Sequence, residues 1–316
     1  MKETYDFGII GAGGTGLAAA MYAARLGLKT VCFGASHGSE MPVGGVITTT
    51  NVVENYPGFI RLTGTELANK IKEHAESYDL VNIKEERVNE IKKDKTGFII
   101  SAEKDYHVKS ILIATGTKWR TLNIPGSKEF ENRGVAYCAL CDAPLYRNKT
   151  VAVVGGADTA AKDALVLAEH AKKIYIIYRG DKIRPEPINL QRIEQSKKIE
   201  VITKTNVLEV KGSQTVEKLV LDKVYKGSKE LSVEGVFVAI GHEILSELAI
   251  PLGVKLNEKR EIIIDHKTSE TNVPGIYAAG DVADKPFKQA ITGVAEGCTA
   301  AYSAYEYITK NKILSS

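Results

Sequence analysis

The stretch "YDFGIIGAGGTGLAAAMYAARLGLKTVCFG", residues 5–34, constrains this chain more than any other. Tyr5–Ile10 reads as a buried parallel strand. Gly11, Gly13 and Gly16 follow in G-x-G-x-x-G spacing, then an alanine-rich helix, then a second strand at Thr30–Phe33. Each glycine has a mechanical reason. The first makes a tight turn, the second lets a pyrophosphate reach the backbone, and the third lets helix and strand pack closely. The helix N-terminus then offers its partial positive charge to the phosphates. With a strand before it and a helix after it, this loop reads as dinucleotide-binding. One element is missing. An acid is expected about 20 residues on, to hold a ribose hydroxyl. That position falls near Gly34, where no Asp or Glu stands.

The pattern returns in "KTVAVVGGADTAAKDALVLAEHAKKIYIIYRGDKIR". The reading is a strand at Thr150–Val154, a helix at Asp158–His170 and a strand at Ile174–Tyr178. The glycine positions here are Gly155, Ala157 and Ala160. The Ala157 methyl stands where a pyrophosphate would come close. After the second strand come Arg179 and, five residues on, Arg184. Basic residues there accommodate a 2′-phosphate, which favours NADP over NAD.

Two further strands end in small residues. "SILIATGTKWR" runs into Ala114-Thr115-Gly116, and "TNVPGIYAAGDV" runs into Gly280-Asp281. A carboxylate at the second strand end can accept a hydroxyl from a ribityl chain. No third glycine loop precedes it, so this segment completes the first domain. The expected fold class is therefore α/β, with two Rossmann-like dinucleotide-binding domains, the second inserted into the first. The chain crosses at Lys118–Leu122 and Ile244–Pro251.

Composition excludes other classes. The chain has 316 residues, a soft prior of two domains. Net charge is +3, with lysines interleaved among glutamates, which is a solvated surface and not a nucleic-acid stripe. No run approaches the ~20 apolar residues of a membrane span. The N-terminal residues lack the apolar core and cleavage site of a signal peptide. Four cysteines are no disulfide framework, and a cytoplasmic location is expected.

Two of those cysteines, Cys138 and Cys141, form a C-x-x-C pair with Asp142 behind it. Such a pair serves as half a zinc site, a structural disulfide or a redox dithiol.

Taken in order, the motifs resemble the low-molecular-weight thioredoxin reductases over nearly the whole chain. The likeness rests on Gly11–Gly16, "GGVITTTNVVENYPGF" at Gly44–Phe59, Ala114-Thr115-Gly116, "CALCD" at Cys138–Asp142, "GGADTA" at Gly155–Ala160, and "TNVPGIYAAGDV" followed by "KQAI". The resemblance implies FAD bound by residues 1–118 and 247–316, and NADPH bound by residues 119–246, which also carry the redox pair. It implies a homodimer and the disulfide of thioredoxin, or a similar small redoxin, as substrate.

Carried over by resemblance, Gly11, Gly13, Gly14, Thr15 and Gly16 cradle the FAD phosphates. Gly44, Gly45, Val46 and Asn55 line the flavin side, and Val88 meets the adenine. Ala114, Thr115 and Gly116 belong to the same site, Gly280 and Asp281 take the ribityl chain, and Lys288, Gln289 and Ala290 face the isoalloxazine. Gly155, Asp158, Thr159, Tyr178, Arg179, Arg184 and His242 are assigned to the nicotinamide nucleotide. Three positions depart from the family. Val46 replaces a glutamine, Ala157 replaces the middle glycine of the second loop, and Gly180 replaces an arginine.

Zinc needs four ligands, and the other two cysteines offer no second pair. Cys32 sits in the strand "TVCF" and Cys298 in a small-residue helix, and both read as core filling. The six histidines show no ligand spacing, so no metal is expected. A structural disulfide is uncommon in a reducing compartment. By family analogy Cys138 attacks the substrate disulfide, Cys141 takes electrons from the flavin, and Asp142 manages protons. Electrons pass from NADPH through FAD to the pair and on to thioredoxin. The resemblance also implies rotation of the inserted domain about its crossings.

Three other readings use the same residues. The donor is NADH, ferredoxin or a reduced deazaflavin, which Ala157 and Gly180 motivate. The protein is a dithiol oxidase. Or it is a flavin-bound scaffold or sensor, which the intact Cys138–Cys141 pair argues against.

Overall fold

The computed structural model describes residues 3–35, 42–50 and 53–315. The chain separates into two compact units, Met1–Lys118 with Ile244–Ser316, and Trp119–Glu243. Residues 244–246 thus fall in the first unit.

The first unit opens with β1 (Glu3–Ile10), α1 (Gly14–Arg25) and β2 (Thr30–Phe33). Then come α2 (Gly64–Glu76), β3 (Val81–Lys84), β4 (Glu90–Asp94), β5 (Gly97–Ser101) and β6 (Asp105–Ile113). The strands form one sheet in the order β3-β2-β1-β6-β5-β4. β1 pairs parallel with β2 and β6, whereas β4-β5-β6 is an antiparallel ribbon. β1 and β2 read as near-continuous apolar runs because they are central and parallel, and such strands are covered on both faces. Phe7, Ile9, Leu17, Cys32 and Leu112 are buried in one cluster. Ile10, Phe33, Phe98, Tyr106 and Ile111 are buried in another. α2 starts on a capping box. The Thr63 hydroxyl accepts the Glu66 N–H at 3.1 Å, and the Glu66 carboxylate accepts the Thr63 N–H at 2.7 Å.

The chain leaves through β7 (Thr117–Trp119). The second unit holds β8 (Val135–Ala136), α3 (Ala139–Asp142), β9 (Thr150–Val154), α4 (Asp158–His170), β10 (Lys173–Ile177), α5 (Pro187–Gln195) and β11 (Ile199–Ile202). An antiparallel ribbon follows, β12 (Val207–Gly212), β13 (Val216–Tyr225) and β14 (Ser228–Ser232), and then β15 (Gly235–Val238). Its main sheet runs β11-β10-β9-β15-β8, all parallel. Val151, Val153, Ala160, Ala164, Leu167, Ile174 and Phe237 form its core under α4. β10 ends at Ile177, one residue before the expected end, which leaves Tyr178 on the connection that follows.

The return runs through β16 (His242–Ile244). β17 (Ile276–Ala278) then pairs parallel with β6, which makes it a strand of the first unit's sheet. The turn Gly280–Val282 and the long helix α6 (Ala290–Ser315) complete that unit. Cys298 on α6 is only partly buried, unlike Cys32, which is fully buried. Among the described residues no helix is long and apolar enough to cross a membrane.

Candidate functional site: a cavity in the first unit and a glycine loop in the second

The glycine loop between β1 and α1 is built by contact. A Cβ on Gly11, whose φ is +111°, would lie 2.2 Å from the Ala114 carbonyl oxygen. One on Gly16 would lie 1.8 Å from the Gly11 carbonyl oxygen, so α1 can seat against β1 only with glycine there. Gly13 differs, because a Cβ would meet nothing nearer than Gly45 Cα at 3.5 Å. A methyl at Gly13 would therefore sit in ordinary contact with Gly45 and displace nothing. The first turn of α1 carries no acid. Its N–H groups and dipole have no negative partner from their own turn, which suits a phosphate.

A cavity of about 210 Å³ opens over this loop. Gly11, Gly13, Gly14, Thr15, Gly44, Gly45, Val46, Ala114, Thr115, Gly116, Asp281, Gln289 and Ala290 all line it. They come from five separate stretches of sequence. Leu67 and Ile71 of α2, together with Gly293 and Val294 of α6, add walls that motif reading missed. The last two were within reach of that reading, because they follow Gln289 and Ala290 at i, i+4 on one helix.

The remaining residues assigned to this site stand around the cavity. Gly16 packs α1 on the loop. Asn55 Nδ2 donates to Gln289 Oε1 at 2.9 Å. Val88 is buried and lines an adjoining cavity of about 360 Å³ with Arg87, Asn89, Lys118 and Glu247; Thr115 borders both. Gly280 has φ +77°, and its N–H donates to Glu296 Oε2 at 2.9 Å. Lys285 pairs with the other oxygen of that carboxylate. Lys288 lies outside the cavity lining. Its Nζ donates to Glu261 Oε1 at 2.5 Å and to the Asp281 carbonyl at 2.8 Å. Neither Glu261 nor Glu296 carries a motif that sequence could have flagged.

The second unit repeats the loop with differences. Gly155 has φ +154°, and a Cβ there would lie 2.2 Å from the Ala239 carbonyl oxygen. Asp158 occupies the first turn of α4, and its Oδ1 accepts from the Glu186 N–H at 3.0 Å and from Asn189 Nδ2 at 2.9 Å. Lys162 pairs with the other oxygen at 2.6 Å. Burial pushes the Asp158 carboxyl upward, but these partners outweigh it and hold the group below its ordinary range. Tyr178 packs on the loop itself. A Cβ on Gly156 would lie 2.3 Å from the Tyr178 ring, and one on Gly180 would lie 2.6 Å from it. The Arg184 N–H donates to the Gly156 carbonyl at 2.6 Å, and Arg184 Nη2 donates to the Tyr178 hydroxyl at 3.1 Å. Gly155, Asp158, Tyr178 and Arg184 are thus brought together at the loop. Arg179 is exposed, Thr159 follows Asp158 in the first turn of α4, and the His242 ring lies 4.7 Å from Trp119.

Cys138 is disulfide-bonded, whereas Cys32 and Cys298 are free. The side chain of Cys141 lies outside the described residues. The Asp142 N–H donates to the Cys138 carbonyl at 3.2 Å, which closes the single turn α3. Burial pushes the Asp142 carboxyl above its ordinary range. Among the described residues no cluster of His, Cys, Asp or Glu could hold a metal ion.

The model of the pyridine nucleotide-disulphide oxidoreductase family matches residues 5–297. A thioredoxin reductase of Pneumocystis carinii is 37% identical over 313 residues, covering 96% of each chain. A bifunctional thioredoxin reductase/thioredoxin of Mycobacterium leprae is 36% identical, and the match covers 96% of this chain and 66% of that longer protein. The crystal structure of Lactococcus lactis thioredoxin reductase in its FR conformation matches with a TM-score of 0.90 at 37% identity, covering 97% of this chain and 99% of that one. The chain belongs to the pyridine nucleotide-disulphide oxidoreductases and, among them, to the thioredoxin reductases. These are flavoprotein oxidoreductases that use a flavin and a nicotinamide nucleotide.

Proposed function

We propose that the protein reduces the disulfide of thioredoxin, or of a similar small redoxin, with electrons from NADPH. The observation that carries this reading is the convergence of five sequence stretches on one cavity of the first unit. We assign that cavity to FAD. When bound, FAD would supply two-electron transfer between a nicotinamide and a dithiol. The cavity-lining backbone of Gly13 and Gly14 and the acid-free first turn of α1 fit its phosphates, and Asp281 fits a ribityl hydroxyl. We assign residues 119–243 to the NADPH domain, where the exposed Arg179 and Arg184 fit a 2′-phosphate.

The working pair is Cys138 and Cys141. The Cys138 thiolate attacks the redoxin disulfide, forms a mixed disulfide and expels one redoxin thiolate. Cys141 then attacks the Cys138 sulfur, restores the internal disulfide and expels the second thiolate. Asp142 is the proton donor to a departing thiolate, and its raised pKa supports this role because it keeps a proton at higher pH than an ordinary carboxyl. A homodimer in the cytoplasm completes the proposal, by analogy with the family.

The test is a steady-state assay with thioredoxin as acceptor, comparing NADPH with NADH, preceded by anaerobic reduction of the bound flavin with each. Turnover with a clear NADPH preference supports the proposal. No flavin reduction by either at millimolar concentration would remove the nicotinamide donor and favour a ferredoxin or deazaflavin in its place. Rapid oxygen consumption with small dithiols and none with thioredoxin would turn the reading to a dithiol oxidase.

A further inference from the structure

Glu261 sits nine-tenths buried in the first unit, on a segment that runs beside the Gly280–Val282 turn. The Ile262 N–H donates to the Val282 carbonyl at 2.9 Å, and the Asp284 N–H donates to the Ile262 carbonyl at 3.0 Å. The two carboxylate oxygens of Glu261 are both engaged. Oε2 accepts from Asn257 Nδ2 at 2.7 Å, and Oε1 accepts from Lys288 Nζ at 2.5 Å. Burial pushes the Glu261 carboxyl upward, but the Lys288 and Asn257 hydrogen bonds outweigh it and keep the group ionised. Lys288 also donates to the Asp281 carbonyl at 2.8 Å. One ammonium group therefore ties together the Glu261 segment, the Asp281 turn and the segment bearing Gln289 and Ala290. Asp281, Gln289 and Ala290 line the cavity, while Lys288 itself does not.

We propose that Glu261 is a positioning residue that turns Lys288 away from the flavin cavity, neutralises its charge and so sets the redox potential of the flavin held there. The inference rests on the cavity being the flavin site. Its physical basis is charge balance. Two-electron reduction with uptake of one proton makes the isoalloxazine one unit more negative. A positive charge beside the cavity favours that product, and a negative charge opposes it. In a partly buried setting the Glu261–Lys288 pair nearly cancels at a distance, whereas either partner alone does not. Breaking it leaves a single partly buried charge next to Asp281 and Gln289, which line the cavity.

The experiment compares the flavin potential of wild type, Glu261→Gln, Lys288→Met and the double variant, each as purified flavoprotein equilibrated with a reference dye. Glu261→Gln leaves Lys288 unopposed. Its equilibrium should move about tenfold toward reduced flavin, about 30 mV more positive for a two-electron couple. Lys288→Met, measured at alkaline pH so that Glu261 stays ionised, leaves Glu261 unopposed and should move the potential the other way. The double variant should return close to wild type. Equal potentials in all four proteins, or shifts of the same sign in both single variants, would overturn the proposal, even if FAD is released faster. Should Glu261→Gln fail to fold, the sign of the Lys288→Met shift decides alone. A wild-type protein that binds no FAD overturns the flavin reading, and this is seen in its spectrum before any variant is compared.

Discussion

Asn55 and Gln289, 234 residues apart in sequence, share a hydrogen bond of 2.9 Å at the edge of the cavity we assign to FAD. Each comes from a separate motif, one from "VENYPG" and one from "KQAI". The bond holds the Gln289 amide in one orientation. We expect Asn55→Ala and Gln289→Ala each to weaken FAD binding several-fold. The double variant should lose less than the sum, with a coupling of about 0.5–1 kcal/mol. Flavin fluorescence on release measures this, and strict additivity would show that the bond does not act on the flavin.

Cys141→Ser should retain FAD and its visible spectrum while abolishing thioredoxin reduction. Asp142→Asn should slow the disulfide step about 100-fold or more, the range of a lost general acid. The raised carboxyl gives the sign. Wild-type rate should fall as pH rises through the Asp142 pKa, because the proton to be donated is then lost. Asp142→Asn should lack that falling limb. A variant with the wild-type pH profile would exclude Asp142 as the acid.

Gly13 and Gly16 should part company. Gly16→Ala places a methyl 1.8 Å from a backbone oxygen and should cost about 2–4 kcal/mol of stability. Gly13→Ala meets no protein atom closer than 3.5 Å, so the fold should survive and FAD affinity should drop. Thermal unfolding of the two apoproteins, with FAD titration, separates the outcomes.

Tyr178 explains why glycine stands at position 180 in place of the family arginine. The ring occupies the space a Cβ at 180 would need. Gly180→Ala should destabilise by about 1–3 kcal/mol in wild type and by much less in a Tyr178→Ala background. Gly180→Arg alone should not raise the preference for NADPH over NADH, whereas Tyr178→His with Gly180→Arg should. Equal effects of Gly180→Arg in both backgrounds would show the two positions to be independent.

Asp163 on α4 is desolvated, and burial pushes its carboxyl to about 7. Its folded pKa lies above the unfolded value. It is therefore neutral and harmless below that unfolded value, and stability falls as pH rises toward 7. Asp163→Asn should be more stable than wild type at high pH. The gap should widen by about 2 kcal/mol between pH 5.5 and 8.5, at ~1.4 kcal/mol for each unit up to the folded pKa. Thermal unfolding at the two pH values checks this, and a constant gap would contradict it.

The two nucleotide units were legible because their signals are local. Strand, glycine loop and helix lie within about 30 residues, and hydrophobic runs mark the buried parallel strands. Most residues lining the cavity we assign to FAD were legible for the same reason, since they belong to short motifs, whereas Leu67 and Ile71 of α2 belong to none. Glu261 and Glu296 were not. Their partners, Lys288 and Gly280, are distant in sequence, and a glutamate between ordinary residues carries no periodic signal. The departure at Gly180 was visible as a loss. Only the position of the Tyr178 ring gave it a cause.

Thr15 carries a consequence for how such a chain can drift. A Cβ on Gly280 would lie 2.6 Å from its hydroxyl, and one on Gly293 would lie 2.5 Å from it. Three positions from three segments thus share one small volume. A side chain at 293 has to displace the Thr15 hydroxyl, so substitutions at 293 and 15 are coupled. Position 280 is held twice over, because its φ of +77° suits glycine even where residue 15 is small.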